Sequence, residues 1–154
     1  YIQYDIYAIL YLYMKRILLY ALLVVPPISF THTDNNSHIF LLESICKVES
    51  NCDSYAIGDN GNAIGAYQIW ENYWQDACAF RDNDDLRLSD GYESCYGKEY
   101  SEKVVLAYWN RYATMKRLGR TPTDEDRARI HNGGPNGYKK DSTLRYWKKV
   151  QNEM

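Results

Sequence analysis

The sequence predicts an α+β fold, predominantly helical, with one small hairpin or loop insertion. Three observations carry this expectation. Apolar residues recur at helical spacing in three separate stretches, around residues 39–48, 104–115 and 146–150. One segment, residues 51–62, is dense in turn formers and is punctuated by Gly58 and Gly61. The chain of 154 residues has the size of one domain, and its 45% hydrophobic and 25% charged residues exclude wholesale disorder.

The first 31 residues are set apart from the fold. Met14, Lys15 and Arg16 form a basic start, followed by nine apolar or aromatic residues at 17–25 and then Pro26, Pro27, Ile28, Ser29, Phe30 and Thr31. That order matches a secretory signal peptide. A membrane span needs ~20 uninterrupted apolar residues. Residues 1–25 supply that length only with Lys15 and Arg16 at mid-depth, at ~2.5–3.5 kcal/mol each. Residues 1–31 are therefore expected to be upstream residues plus a signal peptide starting at Met14, and residues 32–154 the domain proper. A secreted, extracellular protein is the expectation.

Export gives meaning to the four cysteines, Cys46, Cys52, Cys78 and Cys95. An even set in an oxidising compartment favours bridges over a metal site, and no Cys-x-x-Cys pair is present. Of the three possible pairings, the local one is expected: Cys46–Cys52 and Cys78–Cys95. Neither a metal nor a cofactor is expected.

Charge is unevenly spread. Residues 32–97 carry three Lys+Arg against twelve Asp+Glu, whereas residues 98–154 carry thirteen against seven. This describes either two faces that attract one another or a cleft between an acidic and a basic lobe. The net charge of −2 provides no global basic field, so nucleic acid is not an expected partner, nor is stable membrane insertion. A monomer is the expected state.

Along the domain, Ser37 is a candidate N-cap for a helix carrying Ile39, Phe40, Leu41, Leu42, Ile45 and Val48, which runs to Glu49 and Ser50. The turn-rich segment follows, with residues 66–70 as a short apolar element behind it. Residues 72–79 read as helical, and residues 80–97 as an irregular connection. A helix from Ser101 carries Val104, Val105, Tyr108, Tyr112 and Met115, with Lys116 and Arg117 in its last turn and Gly119 as its stop. Thr123 caps a short helix reaching Ile130, with Asp124, Glu125 and Asp126 in the first turn. Residues 131–137 read as irregular, and Ser142 caps a last helix with Tyr146, Trp147 and Val150.

The chemistry concentrates between Glu49 and Trp70. Glu49 closes an apolar helix, where partial desolvation favours a protonated carboxyl group. Asp59 lies in a Gly-Asp-Asn-Gly turn, where backbone N–H groups and water favour the ionised form. One acid and one carboxylate are what glycoside hydrolysis requires. A lysozyme is the standard example of that division. On spacing alone, a solvated helix-end Glu and a turn-forming Asp describe the same residues.

The local sequence carries more. The runs Cys46-Lys47-Val48-Glu49-Ser50-Asn51-Cys52, Ile57-Gly58-Asp59, Gly65-Ala66-Tyr67-Gln68-Ile69 and Tyr73-Trp74-Gln75-Asp76-Ala77-Cys78 resemble the front half of the invertebrate-type (destabilase-like) lysozymes. Tyr108-Trp109-Asn110-Arg111-Tyr112, Gly119-Arg120-Thr121-Pro122-Thr123 and Ile130-His131-Asn132-Gly133-Gly134-Pro135-Asn136-Gly137 resemble the back half. The resemblance implies a lysozyme-like fold with its small hairpin or loop insertion beside the active-site cleft. It implies retaining hydrolysis of the β-1,4 link between N-acetylmuramic acid and N-acetylglucosamine in peptidoglycan, with chitin oligosaccharides as a second candidate substrate, in antibacterial defence or bacterial digestion. By position, Glu49 matches the general acid/base and Asp59 the nucleophile or stabilising carboxylate. Tyr67 and Gln68 match cleft-lining positions, His131 and Asn132 lie on the loop expected to face the cleft, and Tyr73 and Trp74 are candidates for stacking on sugars.

Three departures from the pattern stand out. Only four cysteines are kept, with Tyr138 where a Cys often follows Pro-Asn-Gly. Asn62 and Trp70 occupy the places of the Ser and Lys assigned to the family's isopeptidase dyad, so that activity is not expected. The loop around Asp59 is slightly short. Two alternatives remain, a lytic transglycosylase working with one Glu and a catalytically silent cell-wall or chitin-binding protein on the same fold. Asp59 and the His131–Gly137 motif oppose the first, and the presence of both carboxylates opposes the second.

Overall fold

The computed structural model describes residues 38–80 and 86–154. The expected signal peptide, the Ser37 cap and part of the irregular connection lie outside the described residues. Helix α1 (Ile39–Ser50) buries Leu41, Leu42, Ile45 and Cys46 and leaves Phe40 exposed. It ends where Asn51 turns left-handed at φ 57°, a conformation Asn tolerates, and where the Asn51 and Cys52 N–H groups close on the Lys47 and Cys46 carbonyls.

The turn-rich segment builds a three-stranded antiparallel sheet of two-residue strands: β1 (Ile57–Gly58), β2 (Ala63–Ile64) and β3 (Ile69–Trp70), in that order. Ile57 pairs with Ile64, and Ile64 in turn with Ile69. Gly65 connects β2 to β3 at φ +76°, where a Cβ would stand 2.1 Å from the Cys95 carbonyl oxygen. That close approach seats the sheet on the segment after α2 (Glu71–Cys78), which forms the 3-10 turns Leu88–Asp90 and Tyr92–Tyr96.

Helix α3 (Lys98–Tyr112) is the central element. It buries Val104, Val105, Ala107, Tyr108 and Trp109 and packs on α2 and α5 (Asp124–Gly133). α1 packs against α5 and α6 (Leu144–Glu153). Each fully buried aliphatic side chain, such as Val104, Ile130 or Val150, contributes about 1.5–3 kcal/mol through removal from water.

The structure corrects three expectations about the helices. The helix from Ser101 starts at Lys98 and stops at Tyr112; Met115–Leu118 is a separate turn, α4, because the Thr114 side chain caps it by accepting from the Arg117 N–H. Gly119, at φ 75°, stops α4 rather than the long helix. The helix expected to end at Ile130 runs on through His131, Asn132 and Gly133, and breaks at Gly134 before Pro135. The last helix is not capped by Ser142: a 3-10 turn, Asp141–Thr143, precedes it, and Thr143 at the N-cap makes no side-chain capping bond.

Cys46 and Cys52 are joined, as expected. The expected partner bridge is not formed in the structure: Cys78 and Cys95 are thiols. Burial pushes the Cys95 thiol up to about 12, with the nearby Cys78 adding to the effect.

The best-held helix start is that of α5. Thr123 and Asp126 form a reciprocal capping box, and the buried Asp126 carboxylate also accepts a two-pronged pair from Arg120. Burial alone would raise the Asp126 pKa, but the Arg120 and Thr123 hydrogen bonds outweigh it and hold the carboxyl below its ordinary value. Its stabilising effect is therefore fully present above the ordinary carboxylate range and lost as pH falls through the depressed folded value. Asp126→Ala is expected to cost about 1–3 kcal/mol in urea unfolding at neutral pH, and the deficit should shrink below about pH 4. A deficit that does not change with pH would contradict this assignment.

Candidate active site

Glu49 sits in the last turn of α1, beside the Cys46–Cys52 bridge, with its side chain 18% exposed. The Ser50 hydroxyl donates to the Ala66 carbonyl at 2.8 Å and ties this helix end to the sheet. His131, on α5, brings Nε2 within 3.5 Å of Glu49 Oε1, a contact long for a hydrogen bond. Behind the imidazole, the Tyr73 hydroxyl lies 3.2 Å from His131 Nδ1. Burial first, then the neighbouring Tyr108 and Glu49, raise the Tyr73 pKa well above its ordinary value. The phenol therefore keeps its proton, and it shares one hydrogen bond with His131 Nδ1 whose direction follows the imidazole's tautomer.

Tyr146, on α6, closes the same pocket. Its buried hydroxyl faces Glu49 without completing a well-formed hydrogen bond, and burial together with that carboxylate raises its pKa strongly. Tyr73 is stacked on Tyr108 of α3, with ring centroids 3.6 Å apart and planes 14° from parallel.

Asp59 is held differently. It is exposed, on the turn between β1 and β2, with Asp59 and Asn60 both left-handed at φ 48° and 57°. Asp and Asn are the side chains that visit this region at least cost. The Asn62 amide donates to the Asp59 carbonyl at 2.7 Å, and Trp70 Nε1–H donates to Asp59 Oδ2 at 3.0 Å. Gly58 is needed before it, because a Cβ there would stand 2.0 Å from Gln68 Oε1. Gln68 in turn donates to the Ala56 and Gly65 carbonyls and braces the loop.

Both carboxyl groups line one cleft of about 1020 Å³, at the upper end of the size range of small-molecule sites. Asp76 is a third acid on its wall, but its carboxylate is taken up by Arg111 at 3.1 Å and the Tyr112 hydroxyl at 2.6 Å. No Lys or Arg among the described residues lines the cleft, so an acidic wall facing a basic wall is not what the fold builds.

Of the residues expected to bind substrate, Gln68, Tyr73, His131 and Asn132 line the cleft. His131 and Asn132 do so from the end of a helix and not from a loop. Tyr67 and Trp74 do not line it. Tyr67 is 0% exposed with its hydroxyl on Glu102, and Trp74 is 5% exposed with its indole N–H on the Tyr100 hydroxyl. Each is turned into the core by neighbours that face the other way. Sequence reasoning missed Trp70, Tyr108 and Tyr146. Tyr108 and Tyr146 read as core positions of amphipathic helices, and only the assembled fold brings them to the cleft wall and to Glu49.

Comparison with known proteins places the chain in a family. The destabilase family model matches residues 40–153. A lysozyme of Magallana gigas is 34% identical over 149 residues, covering 91% of this chain and 96% of that protein. A lysozyme of Meretrix lusoria is 39% identical over 113 residues, covering 71% of this chain and 84% of that protein. Among solved structures, Meretrix lusoria lysozyme in complex with Aeromonas hydrophila PliI superposes with a TM-score of 0.59 at 34% identity, over 74% of this chain and 88% of that one. Tapes japonica lysozyme gives 0.54 at 32% identity, over 73% and 87%. The chain belongs to the destabilase family, the invertebrate-type lysozymes.

Proposed function

We propose that this protein is a lysozyme, a glycoside hydrolase that cleaves the β-1,4 bond between N-acetylmuramic acid and N-acetylglucosamine in peptidoglycan. The observation that carries the reading is a pair of carboxyl groups, Glu49 and Asp59, supplied by a helix end and a sheet turn to one open cleft in a chain of this family. Glu49 is the general acid. It gives its proton to the departing glycosidic oxygen while positive charge grows at the anomeric carbon. Asp59 attacks or stabilises that carbon from the other side, and a water then releases the sugar with Glu49 acting as base. His131 orients Glu49, and together with Asn132, Gln68 and Tyr73 it offers contacts to the glycan.

A substrate outside the cell, the signal-like residues 14–31 and the Cys46–Cys52 bridge all support secretion. Among the described residues no helix is long and apolar enough to cross a membrane. In an oxidising compartment the two free thiols, Cys78 and Cys95, are the pair that oxidation would join, and Cys78 already bears electrostatically on Cys95. Non-reducing peptide mapping of the secreted protein should find Cys46 with Cys52 and Cys78 with Cys95; Cys46 joined to Cys78 or Cys95 would overturn the pairing.

Clearing of bacterial cell-wall suspensions tests the central assignment. Glu49→Gln keeps the shape but removes the transferable proton, and should slow clearing by about 10²–10⁴-fold with the fold intact. Asp59→Asn removes a charge that matters most in the transition state and should cost on the order of 10²-fold. A folded Glu49→Gln protein that clears at the wild-type rate would end this reading.

A further inference from the structure

Trp70 occupies the place where the family pattern has a Lys, and the structure gives the indole two tasks at once. It follows the buried Ile69 on β3, so the alternation of the strand turns it outward, and it is 43% exposed. Its ring edge donates Nε1–H to Asp59 Oδ2 at 3.0 Å. The ring itself borders two hollows. One is the cleft holding Glu49 and Asp59. The other is a smaller hollow of about 300 Å³, lined by Gly61, Asn62, Glu71 and Tyr92 as well as Trp70. Behind the ring, the Tyr92 hydroxyl donates to the Ile69 carbonyl and fixes the strand that carries it.

Glu49 and Asp59 flank the same glycosidic bond from opposite faces. The smaller hollow borrows Gly61 and Asn62 from the chain just after Asp59 and shares Trp70, Asn72 and Gln75 with the cleft, and neither Glu49 nor His131 reaches it. A glycan that is bound at the two carboxyl groups and extends past Asp59 therefore runs over Trp70. A pyranose presents a face of C–H groups ringed by hydroxyls and an N-acetyl group. An exposed indole suits that face, and the amides of Asn62, Asn72 and Gln75 suit the rim. Nothing in packing requires an indole that is nearly half exposed, and one hydrogen bond at the surface adds little to stability. Its effect is on where Asp59 points.

We propose that Trp70 is both the stacking platform of a sugar subsite beside Asp59 and the positioning residue for Asp59. This rests on the glycosidase reading. Failure of that reading would show first in the wild-type protein, as cell walls left intact. Two variants separate the two roles, because Trp70→Phe keeps a ring without the N–H, and Trp70→Ala removes both. Binding is read in the Glu49→Gln background with N-acetylglucosamine oligomers of increasing length, and kcat and KM are read on soluble peptidoglycan with Glu49 present. Adding the unit that reaches Trp70 should raise affinity in the parent. Trp70→Ala should lose about three- to tenfold of that increment, while Trp70→Phe keeps most of it. kcat should fall about tenfold in both, since both lose the donor to Asp59. Affinity thus follows the ring and turnover follows the N–H. Trp70→Ala with its length dependence and kcat within twofold of the parent would overturn the proposal, and so would a Trp70→Phe that loses the affinity increment as fully as Trp70→Ala.

Discussion

The carboxyl group of Glu49 is where four helices meet. α1 carries it, α5 brings His131 to 3.5 Å, α2 places Tyr73 behind that imidazole, and α6 closes the pocket with Tyr146. A partly buried carboxyl group is best placed among polar, fixed surroundings. The packing of these helices answers that need: His131 and the two buried phenols are groups that can donate towards it or support one that does. Because Tyr73 also lies flat on Tyr108, the position of the central helix α3 is passed to the acid through one stack of rings. A shift in any of these helices would be felt at Glu49.

Asp59 is governed by the opposite logic. Its turn lies in water, with two successive left-handed residues, and depends on local hydrogen bonds instead of burial. Gln68 braces the loop from inside, against a glycine that leaves room for its carboxamide, and Trp70 holds the carboxylate from outside. One acid is set by the core and the other by a short sheet.

Much of this was legible beforehand because it rests on local rules. Helical spacing marked α1 and α3, the Thr123 cap marked α5, and the motif around Glu49 and Asp59 marked the site. What stayed hidden depends on direction and long-range packing. Tyr73 and Trp74 look equivalent in sequence, yet adjacent helical residues point about 100° apart, so one faces the cleft and the other Tyr100. His131 appeared to lie in a glycine-rich loop. The glycine at 133 instead lets α5 continue, since a Cβ there would stand 2.5 Å from Thr143 Cγ2. Asn62 and Trp70 registered only as missing a Ser and a Lys, although both hold Asp59.

The account stands most directly on what the first product is. Soluble peptidoglycan fragments can be digested with the wild-type protein and read at once by proton NMR and mass. A carboxylate pair working by double displacement should release a reducing N-acetylmuramic acid that carries one added water and appears first as the β anomer. A product appearing first as the α anomer would make Asp59 a base for water and not a partner of the sugar. A 1,6-anhydro sugar, lighter by one water, would mean that Glu49 works alone and would contradict a catalytic role for Asp59.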